Sequence, residues 1–255
     1  MNRTIQHFWE LLWGMTEREL RARYKYTVFG FLWMMINPVL QMLVIGFIFT
    51  FFMKVPVAHY YFYLFIGLLV WNFFSLSLTK TVSSIVNERG LIKKARFPRA
   101  TIPLSIILSN LINFLLALFL YTAAVLTIGT LTWSHVPAIL CALFLVILFT
   151  IGISLLTSAL NVRFRDMAFF VQAALIVWFY ATPIIYTINV IPYKFIWFWR
   201  LNPLTSVVQL MQYGFLNAAP PGIAMLTANI LTTVVITIVG IIVFKRKNVN
   251  FDDWV

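Results

Sequence analysis

Seven carboxylates, three histidines and one cysteine are the side chains of these 255 residues best suited to hold a metal ion or to exchange protons near neutral pH. The histidines, His7, His59 and His135, stand far apart, none at the i, i+4 spacing of a helical metal pair and none beside a cysteine or carboxylate. Each reads as an interfacial residue rather than a ligand. Cys141 lies inside an apolar run and has no second cysteine to pair with, so a small buried apolar role is expected. No Gly-rich loop leads into Lys and Ser or Thr, so the chain is not expected to cradle nucleotide phosphates or hydrolyse ATP. The carboxylates Glu10, Glu17, Glu19, Glu88, Asp166, Asp252 and Asp253 all fall outside the long apolar runs. That disfavours an ion-coupled carrier, whose relays are usually intramembrane carboxylates. With no acid–base set gathered at one depth, an intramembrane enzyme is not expected either.

Coupling to another protein is the chemistry that remains. Residues 83–99 form a charged excursion between two apolar runs, in which 85–92 suit one or two helical turns with Glu88 and Arg89 exposed. Lys93, Lys94 and Arg96 follow, then a Phe97-Pro98 stop. The pattern has the form of a knob for a partner's groove. A solvated loop would account for the lysines but less well for the apolar Ile85, Leu91, Ile92 and Phe97.

The elements that carry this excursion are set by hydropathy. The chain is 62% apolar and 10% charged, against roughly 45–50% and 25% in soluble domains. A net charge of +12 is a mark of nucleic-acid binders in other settings. Here the basic residues flank apolar segments, where they meet anionic headgroups, and no nucleic-acid partner is expected. Charge-poor runs at about 28–53, 60–79, 103–131, 137–160, 168–186 and 223–244 predict six transmembrane helices. The links 54–59 and 132–136 are so short that they make antiparallel hairpins of the spans they join. Sixteen of the 19 Lys and Arg fall on the side of both termini, leaving Lys54, Lys194 and Arg200 opposite. Both termini are therefore expected in the cytoplasm.

Residues 1–27 are expected to form a cytoplasmic interface helix ahead of a single membrane domain, 28–255. Ile5, Phe8, Trp9, Leu12, Trp13 and Leu20 share one helical face, which suits a helix lying flat in the headgroup layer. A helix packed on a cytoplasmic partner fits as well. Glu10, Glu17 and Glu19 interrupt any signal-peptide core, so this segment is expected to be retained. Between spans five and six, residues 187–222 carry Pro192, Pro203, Pro220 and Pro221 between apolar patches, and two short external re-entrant helices are expected there.

Several motifs carry a family resemblance. Residues 21–30 (RARYKYTVFG) with Leu32-Trp33 and Pro38, residues 87–103 (NERGLIKKARFPRATIP), residues 161–167 (NVRFRDM) and residues 178–186 (WFYATPIIY) with Asn202-Pro203 occur in that order. Together they resemble the membrane subunits of ABC transporters of the ABC-2 class, specifically the exporters of O-antigen or teichoic-acid polysaccharide. The tail 244–254 departs from the family's usual ending, which often has Glu near Asn248.

The resemblance implies an all-α permease that works as a homodimer with two copies of a separate ATP-binding subunit. ATP and Mg would be bound by that partner, with no cofactor in this chain. It implies a glycan anchored on undecaprenyl pyrophosphate and a place in the bacterial inner membrane. Ile85, Asn87, Glu88, Arg89, Leu91, Arg165 and Asp166 would couple to the ATPase, whose closure would tilt the first and fifth spans apart. Arg21, Arg23, Lys25 and Arg163 would receive the pyrophosphate, although positive-inside charge explains them equally well. Trp71, Trp178, Tyr180 and Tyr186 would stack on sugars. A drug or haem exporter of the same class, and an ion-coupled carrier, are the rival readings.

Overall fold

A computed structural model describes residues 3–25, 30–52, 57–94 and 97–248. Among them every regular element is helical. In chain order these are α1 (Arg3–Tyr24), α2 (Trp33–Phe51), α3 (Tyr60–Val82), α4 (Ser84–Asn87), α5 (Arg89–Lys94) and α6 (Thr101–Leu126). They are followed by α7 (Val136–Arg163), α8 (Met167–Tyr180), α9 (Ile196–Leu201), α10 (Pro203–Leu216) and α11 (Ile223–Asn248). Four stretches, Tyr60–Val82, Thr101–Leu126, Trp133–Arg163 and Ile223–Asn248, are long and apolar enough to cross a membrane.

The two other expected spans are shorter. Helix α2 has 19 residues with Pro38 inside it, and residues 28, 29 and 53 of that expected span lie outside the described residues, as do Lys54 and Arg96. Helix α8 has 14 residues, about 21 Å at 1.5 Å per residue. The expected run to 186 ends at Tyr180 because Pro183 lacks a donor and disfavours helical backbone at Thr182. The chain turns there, with the Ile184 N–H donating to the Thr182 carbonyl at 2.7 Å.

Helix α3 is the hub. It is buried nearly all round, packed by α2, α6, α7, α8 and α10. Helix α10, made from the expected apolar patch at 204–215, is equally enclosed by α3, α7 and α11. The most extensive helix contact is α7 on α11. It turns on Gly152 and Gly240: a Cβ on Gly240 would overlap the Gly152 carbonyl, and one on Gly152 would strike the Thr237 backbone. Small residues let backbones approach this closely. Large apolar side chains remain exposed along α2 (Phe47, Phe51), α8 (Phe169, Phe170, Ile176) and α11 (Leu231, Val235, Ile238). Apolar surface on that scale suits lipid or partner rather than water.

A second apolar cluster gathers Met15, Ile85, Ile92, Ile102, Leu155, Val162 and Phe244. It ties α1 to the excursion α4–α5 and to the adjoining ends of α6, α7 and α11.

Candidate functional site

The excursion is a two-sided wedge. Ser84 and Ile85 open α4 and are buried, and Ile92, midway along α5, is 5% exposed in the second cluster. Leu91 is half-buried against the same cluster. Asn87, Arg89, Lys93 and Lys94 face outward. The apolar residues read from sequence as docking knobs therefore anchor the wedge, and its polar edge is what a partner meets. Glu88 sits at the bend, where its carbonyl accepts the Leu91 and Ile92 N–H at 3.0 and 3.1 Å. Its carboxylate is half-buried and ion-paired with Arg18 of α1, rather than free in solvent as expected. Arg165 and Asp166 are exposed on the turn between α7 and α8, and the Asp166 carbonyl accepts from Phe170 at 2.9 Å.

The four cations expected to act together differ in their surroundings. Arg21 is exposed and paired with Glu17, while Lys25 is exposed at the end of α1. Arg163 lies with its guanidinium 5.3 Å from the Phe164 ring. Arg23 alone turns inward and donates to the side-chain carbonyl of Asn110 on α6. Two positions on a helix are 200° apart, so Arg21 and Arg23 must face differently. The expected apolar face of α1 also divides: Leu12 packs inward beside Met15 and Thr16, while Trp9 and Trp13 stay exposed.

Arg23 borders a cavity of about 480 Å³ between α1, α2, α3 and α6. Its polar lining includes Tyr24, Asn37, Asn72, Asn110 and Asn113. The Tyr24 hydroxyl donates to Asn113 Oδ1 at 3.1 Å, Asn110 Nδ2 to Ser77 Oγ at 3.1 Å, and Asn72 Nδ2 to Gln41 Oε1 at 3.2 Å. Sequence reasoning passed over these amides. The available signal was Ser105, Ser109, Asn110 and Asn113, which recur at helical spacing inside an apolar run.

The four candidate aromatics also occupy different environments. Trp71 is buried, with its ring 5.4 Å from Phe179 and 5.8 Å from Phe74. Trp178 is half-buried against Phe74 and Phe149, at 5.3 and 5.8 Å. Tyr186 is half-buried and donates its hydroxyl to the Tyr180 carbonyl at 2.7 Å, while Trp199 Nε1 donates to that hydroxyl at 3.2 Å. Tyr180 alone of the four presents an exposed side chain. What orients Trp178 is Asn202, whose Oδ1 accepts from Trp178 Nε1 at 2.9 Å and from the Leu204 N–H at 3.2 Å. Its Nδ2 donates to the Ala181 carbonyl and to Thr182 Oγ1, at 3.2 and 3.0 Å. One buried amide thus caps α10 and fastens it to the end of α8.

Among the described residues no three His, Cys, Asp or Glu side chains come together. The arrangement consists of a wedge with a charged edge, an arginine-lined cavity and a packed aromatic stack.

The family model described as "ABC-2 type transporter" matches residues 10–216, which include most of α1, the wedge and α10. A protein of Klebsiella pneumoniae named "O-antigen export system permease protein RfbA" is 35% identical over 98% of this chain and 97% of its own length. A second Klebsiella pneumoniae protein of that name is 31% identical, again covering 98% of this chain and 97% of its own length. A Myxococcus xanthus protein of the same name is 32% identical, over 98% of this chain and 96% of its own length. A profile match over most of the chain and relatives aligned nearly end to end establish the membership: this chain belongs to the ABC-2 type transporter family.

Proposed function

We propose that this chain is the permease subunit of an ATP-driven exporter that moves a lipid-linked O-antigen-type polysaccharide across the bacterial inner membrane. The observation that carries this reading is the near end-to-end similarity to three O-antigen export permeases. The chain is a transport subunit rather than an enzyme, and it works with a separate ATP-binding subunit that holds ATP and Mg.

In this reading α2, α3, α6, α7, α8 and α11 are the six spans, with both termini cytoplasmic. The short α8 completes its crossing with the turn that follows it, and α9 and α10 are the re-entrant pair on the external side. Support comes from the one-sided distribution of basic residues and from the lipid-compatible faces of α2, α8 and α11. Helix α1 rides in the cytoplasmic headgroup layer, where exposed Trp9 and Trp13 suit interfacial anchoring.

Two copies of the chain pair about an axis along the membrane normal, with one ATP-binding subunit beneath each. Asn87, Arg89, Arg165 and Asp166 meet that subunit, Glu88 relays to α1, and Ile85 and Leu91 hold the wedge in place. Arg21, Arg23, Lys25 and Arg163 meet the undecaprenyl pyrophosphate, and Trp71, Trp178, Tyr180 and Tyr186 line or support the glycan path.

Reconstitution tests this. Vesicles holding the chain and its ATP-binding partner should translocate labelled lipid-linked glycan only with ATP, and should continue when the proton gradient is collapsed. Uphill transport by the chain alone would refute the reading.

A further inference from the structure

Arg200 is a cation at membrane depth. It ends the short helix α9, and its carbonyl accepts from Asn229 Nδ2 of α11 at 2.6 Å. Asn229 lies about 9 Å along α11 from Ile223, the external end of that helix. Its Oδ1 accepts from the Ser206 N–H and hydroxyl at 3.1 and 2.6 Å, and Ser206 lies about 15 Å along α10 from Leu216. Two helices thus agree that the Arg200 backbone sits well inside the outer leaflet. Its guanidinium meets no anion there. Nε is buried without a hydrogen-bond partner, and among the described residues the guanidinium makes no ion pair, hydrogen bond or ring contact. Glu10, Glu17, Glu19, Glu88 and Asp166 stand on α1, the wedge and the α7–α8 turn, at the opposite end of the bundle. Asp252 and Asp253 follow Asn248 by at most about 18 Å of chain, whereas about 28 Å of helix separates Asn248 from Asn229. A second copy turned about an axis along the membrane normal brings its carboxylates to that same far end. An arginine at this depth is costly unless an anion or water reaches it, and an anion has to come from outside the protein.

The surroundings of α9 say which anion can arrive. Trp197, Phe198 and Leu201 are exposed on it, and α9 packs on α11, whose Leu231, Val235 and Ile238 are exposed as well. Bilayer lipid therefore reaches this flank without passing through protein. On its other side α9 adjoins the end of α8: Trp199 Nε1 donates to the Tyr186 hydroxyl at 3.2 Å, and that hydroxyl donates to the carbonyl of Tyr180, the last residue of α8. Helix α8 has 14 residues, about 21 Å against some 30 Å of hydrocarbon, and a helix this short draws the headgroup layer inward. A headgroup lowered beside α8 comes within reach of Arg200. Phosphate is the anion every phospholipid carries, it only accepts hydrogen bonds, and it matches the guanidinium in charge and fork geometry.

We infer that Arg200 binds the phosphate of an external-leaflet phospholipid, whose chains lie along the exposed faces of α9 and α11. The site rests on α9 and α10 being the external re-entrant pair, and not on the identity of the exported glycan.

Native mass spectrometry on the purified full-length chain tests it. Wild type, Arg200→Gln, Arg200→Lys and Lys245→Gln are each titrated with phosphatidylglycerol, diacylglycerol and undecaprenyl pyrophosphate. Phosphatidylglycerol should bind where diacylglycerol does not, and Arg200→Gln should weaken the tightest site about tenfold. Arg200→Lys keeps the charge without the fork and should fall between the two. Lys245→Gln removes an exposed cation at the far end of α11 and should bind as wild type. Phosphatidylglycerol should also raise the unfolding temperature of wild type and leave that of Arg200→Gln unchanged. Undiminished binding in Arg200→Gln overturns the site, as does diacylglycerol held as tightly as phosphatidylglycerol. Arg200-dependent binding of undecaprenyl pyrophosphate alone overturns it too, because the occupant would then be a transported head group. The side on which α9 lies is read separately, by labelling Lys194→Cys in a Cys141→Ala background with a membrane-impermeant maleimide. Spheroplasts should be labelled from outside. Labelling only in inverted vesicles sinks the external placement, and external labelling without Arg200-dependent binding sinks the site alone.

Discussion

Arg18 and Glu88 are 70 positions apart in the chain, and their ion pair is a polar link between the interface helix α1 and the bend of the wedge. If the ATP-binding partner displaces the wedge, this link passes the movement to α1. The side chains are 48% and 27% exposed, so water and salt screen the pair and its worth is about 0.5–1 kcal/mol. That corresponds to roughly two- to fivefold in any equilibrium it biases. Arg18→Gln, which leaves the outward edge of the wedge intact, should lower glycan export by about that factor while the complex hydrolyses ATP at its usual rate. Glu88→Gln should do the same, and the exchange Arg18→Glu with Glu88→Arg should restore export to within about twofold. Raising salt to about 0.5 M should bring wild type toward the single variants, because the Debye length contracts to a few ångström. The assay is ATP-dependent translocation of labelled lipid-linked glycan into reconstituted vesicles, with phosphate release followed in the same sample. Wild-type export by both single variants, or an exchange whose defects simply add, would refute mechanical transmission through this pair.

Four further outcomes are expected. Gly240→Ala forces its methyl group into the Gly152 carbonyl and should cost about 1–3 kcal/mol, seen as a lower unfolding temperature in detergent. Asn202→Leu strands the Trp178 indole donor and removes the cap on α10. It should cost about 1–3 kcal/mol for the orphaned donor and roughly 1 more for the cap, and shift the tryptophan emission. Trp71→Ala empties a packed position and should destabilise the chain by about 3–5 kcal/mol. Tyr180→Ala, at an exposed ring, should leave the unfolding temperature within the range of an ordinary surface change and slow export only.

How legible this was in the sequence varied with the kind of force involved. Helices α3, α6, α7 and α11 follow from uninterrupted charge-free runs, because hydropathy is a local property. The run 178–186 stays apolar through Pro183, so composition extended a helix that backbone chemistry ends at Tyr180. Residues 204–215 were visible as an apolar patch. Their enclosure at the centre of the bundle was not, since it depends on α3, α7 and α11 arriving from distant parts of the chain. The wedge was found by its charges. Its inward anchor at Ile85 is set by Met15, Leu155 and Phe244, which share no local pattern with it. The split between Arg21 and Arg23 is fixed by helical geometry, but which of them turns inward is decided by Asn110, 87 positions from Arg23.

The Gly152–Gly240 crossing constrains how this bundle can move. Screwing α11 along α7 by one residue, 100° of turn with about 1.5 Å of rise, would carry Val239 or Ile241 onto the Gly152 carbonyl that only a hydrogen atom now faces. The two helices therefore travel as a single strut. Any widening of a passage has to come from tilting that strut whole, or from lighter neighbours such as α2 and α8 swinging against it.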